Sequence, residues 1–223
     1  GKSRLGHSGC WRFECRDRSL NKKLGKPIKT SDGRVQRSST TRQKIIVAAL
    51  ELIAAGSLNI SAQKVAEHAG VGLRSVFRHF SDMESLFVEF NRQLEQRHRG
   101  LFALDDLTRS LALEARVSAF IEGRIKGFDV IKNFVRLTAT LFYDHAVLRK
   151  QYVDLVAVFE ANAEYYIPEI KSLDEVNKAI VLSLLSFQHW DLQARLRGVG
   201  RQQTLEQTQA AVLQILRNQE ATK

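Results

Sequence analysis

Residues 61–80, SAQKVAEHAGVGLRSVFRHF, read as two short helices joined by a tight turn. Ser61 precedes an apolar-periodic run, and its hydroxyl is placed to accept from a first-turn N–H as an N-cap. Ile60 and Val65 then fall at the two positions of a hydrophobic staple. Gly70 stands where the first helix must stop, because the residue after a helix end commonly needs positive φ. A second helix is expected to start at about Gly72 and to bury Val76 and Phe80, four apart on one face. Leu73, Arg74, Ser75, Phe77, Arg78 and His79 are left for its other faces. One bracing helix and one that presents its N-terminal side chains make a helix-turn-helix.

Helical signals continue on both sides. Ile45, Ala48, Ala49, Leu52 and Ile53 follow the spacing of one helical face; Thr40 with Gln43 forms a possible capping box, and Gly56 a stop. After the pair, Ser81-Asp82-Met83-Glu84 reads as a capping box opening a helix through Leu86, Phe87, Phe90 and Leu94 to about His98. Further helices are expected near 108–126, 128–142, 146–166, 174–197 and 203–218. Pro168 ends the third of these, and Gly198 with Gly200 separates the last two. The fold class is therefore all-α: an N-terminal helix-turn-helix domain of three helices followed by a helical body. The divisions expected are an arm over 1–39, a helix-turn-helix domain over 40–86 and a helical body over 87–223.

The chain has 223 residues, 44% of them hydrophobic, enough for one large or two small packed domains. No apolar run reaches the ~18 residues that span a bilayer; Ser183 and Ser186 interrupt the longest, Ala179–Phe187. The first 39 residues lack the apolar core of a secretory signal, so a cytoplasmic protein with no membrane partner is expected. Cys10 and Cys15, with His7 nearby, are better read as free thiols than as a metal site, because no second ligand pair follows.

The net charge of +10 is unevenly placed. Residues 1–39 hold 11 Lys/Arg against 3 Asp/Glu, residues 40–81 hold 5 against 2, and residues 82–223 hold 18 against 19. A basic head on a neutral body suits a polyanion partner. A solubilising tail would explain the first 39 residues equally well, but not the excess on the next 42.

The stretch from about Thr41 to Phe90 resembles the DNA-binding domain of the TetR/AcrR family of bacterial transcriptional regulators. The likeness rests on Ile45–Ala48–Ala49–Leu52–Ile53, on Ile60–Ser61–Val65–Ala66–Ala69–Gly70–Val71, on Ser75–Val76–Phe77–Arg78–His79–Phe80, and on Glu84 and Leu86. Three positions depart from the family pattern. Met83 stands where a phosphate-binding Lys is usual, Phe77 where Tyr is frequent, and Leu73 where a basic residue is common, with Arg74 supplying charge one position later.

By this resemblance the DNA-facing set is Arg42, Ser61, Lys64, Gly72, Leu73, Arg74, Ser75, Phe77, Arg78 and His79. Leu73, Arg74 and Ser75 open the recognition helix and are best placed for base edges: Arg pairs bidentately with guanine, and Leu packs on a thymine methyl. Phosphate contact is the alternative for Arg74. Arg78 is read as solvated on the far side or DNA-facing, and His79 as a phosphate donor rather than a pH switch. Ser61 and Lys64 lie at a helix N-terminus, which favours a phosphate; Arg42 and Lys44 are in reach of the flanking backbone.

The resemblance also implies a partner set: a double-stranded, palindromic DNA operator, a second copy of the chain, and a small-molecule effector that releases a repressor. Phe128, Phe134, Phe142 and Tyr166 are the candidate effector contacts; a plain packed core uses the same residues. Ala179, Leu182 and Leu185, then Ile180, Leu184 and Phe187, and after them Leu205, Thr208, Val212 and Ile215, form apolar faces on the last two helices, readable as a dimer seam or as an intrachain pair. His189-Trp190 with Leu192 and Leu196 is similar to the family's dimerisation pair. No Ser-His-Asp, HExxH, P-loop or paired-carboxylate pattern occurs in motif context, so no enzyme, catalytic residue, metal or cofactor is expected. A non-specific or architectural nucleic-acid binder using the basic arm is the alternative reading.

Overall fold

The computed structural model describes residues 33–98 and 100–220. Nine α-helices and no strand occur among these residues: α1 Gly33–Ala54, α2 Ala62–Ala69, α3 Leu73–His79, α4 Met83–Arg97, α5 Leu113–Leu141, α6 Ala146–Tyr166, α7 Glu175–Leu184, α8 Phe187–Asp191 and α9 Arg201–Glu220. They divide into two compact units, one within 33–98 and 133–150, the other within 100–132 and 151–220. Cys10, Cys15 and His7, and most of the expected arm, lie outside the described residues.

The first unit is built around α1. Ile45, Ile46, Ala49 and Ile53 are fully buried and meet Val65 and Ala66 of α2, Val76 of α3, and Leu86, Phe87 and Phe90 of α4. Phe87 and Phe90 pack edge to face at 5.4 Å, and Phe90 lies 6.3 Å from Phe134. α1 begins at Gly33, not at Ser39–Thr41, so residues 33–39 of the expected arm are its first two turns. Thr40 is accordingly not a cap but a helix residue, and the Thr41 hydroxyl donates back to the Arg37 carbonyl at 3.0 Å. Hydroxyls that can bond back four residues do not by themselves mark a helix start. Gly56, at φ +90°, ends the helix as expected. The Asn133 amide donates to the Ala54 carbonyl at 2.9 Å, which satisfies one of the end carbonyls.

α4 starts one residue later than Ser81 would set it. Asp82 is the N-cap, accepting from the Ser85 N–H at 2.7 Å while the Ser85 hydroxyl faces the Asp82 backbone N–H. Glu84 is thereby freed from the capping box. Its carboxylate accepts from the Val147 N–H at 3.2 Å, in the first turn of α6, where a helix favours negative charge. The division expected at residue 86/87 falls inside α4, whose Phe87, Phe90 and Leu94 belong to the core just described.

In the second unit Phe128 is the hub. Its ring lies 5.7 Å from Phe102, 5.6 Å from Phe159, 5.4 Å from Phe187 and 5.8 Å from Trp190. The two helices expected at 108–126 and 128–142 are one helix of 29 residues, α5. Gly127 does not break it. A Cβ there would overlap the Phe102 ring, and one at Gly123 would lie 2.7 Å from Leu104 Cδ2, so both glycines admit neighbours that pack onto the helix. The expected first turn near 108 is instead a 3-10 turn, Asp106–Ser110, with Asp105 accepting from the Leu107 N–H. Pro168 ends α6 as expected and opens a second 3-10 turn to Ser172. The helix expected over 174–197 is divided at Ser186. Its hydroxyl donates to the Ser183 carbonyl at 2.7 Å and accepts from the His189 N–H, closing α7 and capping α8. A π-helical turn, Leu192–Leu196, follows.

Candidate nucleic-acid interface

The turn between α2 and α3 is as the sequence requires. Ser61 caps α2 by accepting from the Lys64 N–H at 3.3 Å, and Gly70 closes it in the left-handed region, φ 65°. The Gly70 N–H reaches back to the carbonyls of Ala66 and Glu67. This fixes where α3 starts. Val76 and Phe80, 1% and 4% exposed, pin α3 to the core. The opposite face is then determined by 3.6-residue geometry: Leu73 and Phe77 are 40% and 49% exposed, and Arg74 and Arg78 are exposed beside them. These four occupy one ridge, at i, i+1, i+4 and i+5. Arg74 and Arg78 make no ion pair among the described residues. Ser75 is half-buried and Gly72, the N-cap, is exposed.

An apolar ridge carrying two uncommitted guanidiniums can do two things at a duplex. Leu73 and Phe77 can pack on thymine methyls, and the arginines can pair with guanine edges or phosphates. His79 lies at the end of α3, half-buried, and burial followed by the charges of Arg78 and Arg42 lowers its pKa. Both effects favour the neutral imidazole over the cation.

Two other expected contacts are already engaged. The Arg42 guanidinium lies over the Phe80 ring at 4.9 Å and pairs with Glu89 of α4 at 3.3 Å. The Lys64 ammonium donates to the Asn59 carbonyl at 3.0 Å. Glu89, absent from the expected set, also takes Arg92 at 2.6 Å. The Arg92 hydrogen bond, then that of Arg42, holds its carboxyl well down, at about 2. Gln43 and Gln93 exchange side-chain amide bonds at 3.2 and 3.1 Å beside this group. The Glu89/Arg92 pair was visible in the sequence as an i, i+3 spacing; the cross-helix partner was not.

Residues 45–90 match the family model described as bacterial regulatory proteins, tetR family. The head belongs to the TetR family. That family is one of DNA-binding transcriptional regulators, and the ridge on α3 lies within the matched residues. A comparison with curated proteins finds no match to the chain. No group of three or more His, Cys, Asp or Glu able to hold a metal occurs among the described residues. No described helix is long and apolar enough to cross a membrane.

Of the four expected effector contacts, Phe128 and Tyr166 belong to the second unit and Phe134 to the core of the first. Phe142 meets Tyr143 edge to face at 5.1 Å. The Tyr166 hydroxyl accepts from the Leu104 N–H and donates to the Leu104 carbonyl, both at 2.9 Å.

Proposed function

We propose that the protein is a homodimeric transcriptional repressor that binds a palindromic operator in the cytoplasm and is released by a small-molecule effector, with no catalytic activity of its own. One observation carries this: α3 presents Leu73, Arg74, Phe77 and Arg78 on a single exposed ridge, held in place from behind by Val76 and Phe80. Arg74 and Leu73 read base edges, and Arg78, His79 and the α2 N-terminus at Ser61 meet phosphates.

The dimer reading is supported by α7. Val176, Ala179, Ile180 and Ser183 are exposed at i, i+3, i+4 and i+7, with Val176 69% exposed, an apolar stripe suited to a second copy. The expected contribution of α9 is smaller than the sequence suggests, because Thr208 and Val212 are buried within the chain.

The test is selection of duplexes from a random pool by the purified protein, followed by affinity at one fixed salt concentration. The regulator reading expects a recovered inverted repeat bound at least ~10³-fold tighter than scrambled DNA. Equal affinity for both would replace it with the architectural reading.

A further inference from the structure

Arg124, in the middle of α5, is 4% exposed. Its guanidinium lies 4.7 Å from the Phe120 ring centre, 5.0 Å from Phe159 and 5.9 Å from Phe128. It donates to the Leu185 carbonyl at 3.1 Å, to the Phe159 carbonyl, and to the Asn162 side-chain oxygen at 3.4 Å. The Nε–H has no acceptor. Every one of these acceptors is neutral. Arg116, also buried on α5, shows the contrast: Glu169 lies against it. Burial alone pushes the Arg124 guanidinium down to about 9, still protonated at neutral pH.

A buried cation without a counter-charge is a costly arrangement. Holding the Leu185 carbonyl at the end of α7 does not explain it, because a neutral amide would serve the same acceptor. A guanidinium is suited to a planar oxyanion, which it grips through two parallel N–H groups. We propose that Arg124 anchors the carboxylate of a small anionic effector whose flat, apolar body lies among Phe120, Phe128 and Phe159. The Nε–H and one Nη–H of Arg124 donate to the two carboxylate oxygens. The Asn162 amide nitrogen gives a further donor. The rings around Arg124 part to admit the ligand, and an ion pair replaces their contacts with the cation. The inference rests on reading the second unit as an effector domain, and it names the chemical class of that effector.

The experiment uses the full chain with benzoate, phenylacetate, cinnamate and octanoate, each against its own primary amide at the same concentration. Thermal melting is the first readout. The second is Trp190 fluorescence in a Trp11→Phe background, since Trp190 packs on Phe128. At least one carboxylate is expected to raise the melting temperature by about 3–6 °C at tenfold above its Kd and to change Trp190 emission. Its amide should do neither, and Arg124→Met should abolish the response. A wild-type protein that responds to no carboxylate, or equally to the amides, overturns the proposal, and this comparison decides even if Arg124→Met does not fold. Specific operator binding without any carboxylate response overturns the anion site alone. A carboxylate response in a protein that selects no operator upholds the site and sinks the regulator reading instead.

Discussion

Glu89→Gln tests the electrostatics of the head directly. Glu89 is mostly buried and shared between Arg42 at 3.3 Å and Arg92 at 2.6 Å. Its carboxyl falls from the ordinary 4.5 to about 2, led by the Arg92 hydrogen bond. That gap alone corresponds to ~3 kcal/mol. Both arginines are about half exposed, so solvent screening reduces the net contribution to about 1–2 kcal/mol. The sign follows from the lowered folded-state pKa. The stabilisation is complete above the unfolded value of 4.5 and disappears as pH falls toward 2. Urea melts followed by helical signal should show wild type ahead of Glu89→Gln by about 1–2 kcal/mol at pH 7, the gap shrinking at pH 4 and roughly halved near pH 3. The same substitution releases Arg42 toward DNA. Affinity for random duplex should rise, with the slope of log affinity against log salt steeper by ~0.9 for one added phosphate contact. Equal stability at pH 7, or a gap that persists unchanged at pH 3, would refute the reasoning.

Arg74→Ala is expected to weaken the best operator by ~1–3 kcal/mol at one base position and random DNA much less; equal loss on both would assign Arg74 to phosphate. Ile180→Glu places a charge in the exposed stripe of α7 and should give a monomer by sedimentation at micromolar concentration while the helical content stays unchanged. Removing residues 1–32 leaves α1 whole and takes away 9 Lys/Arg against 3 Asp/Glu. Binding should then show a shallower salt slope, and an unchanged slope would mean that this segment does not meet DNA.

The head was legible because its signals are local. Ser61 and Gly70 fix the ends of α2 through bonds within a few residues, and Val76 with Phe80 fixes the phase of α3. Knowing the phase is knowing the ridge. The sequence was less informative where a residue type has two uses. Gly127 reads as a break, yet it makes room for Phe102 inside one continuous helix. Glu84 reads as a cap for its own helix and instead serves the first turn of α6, 63 positions away. Ser186 lies within an apolar run and divides it, because its hydroxyl bonds locally in both directions. The partners of arginines were the least legible, since a guanidinium finds its acceptor through the fold rather than through spacing.

Those arginines separate stability from recognition. Arg42 and Arg92 converge on Glu89, Arg195 meets Asp191 one turn earlier, Arg217 reaches Glu114, and Arg116 lies against Glu169. Each of these cations has its counter-charge inside the chain. At the most buried of these pairs, Arg116 with Glu169, removing the carboxylate leaves an unpaired buried charge and reads out first as lost stability. Arg74 and Arg78 differ in being exposed with no carboxylate partner among the described residues, so replacing either should not register in the fold. Arg124 differs in the opposite sense: it is buried and its acceptors are neutral oxygens. A cation in water without a partner costs nothing, whereas a cation in an aromatic core without one costs a great deal. On the proposed reading the first two select DNA by contact alone. The third is held in a state that an incoming anion can improve, and only a ligand that improves one state more than another can shift the balance between them.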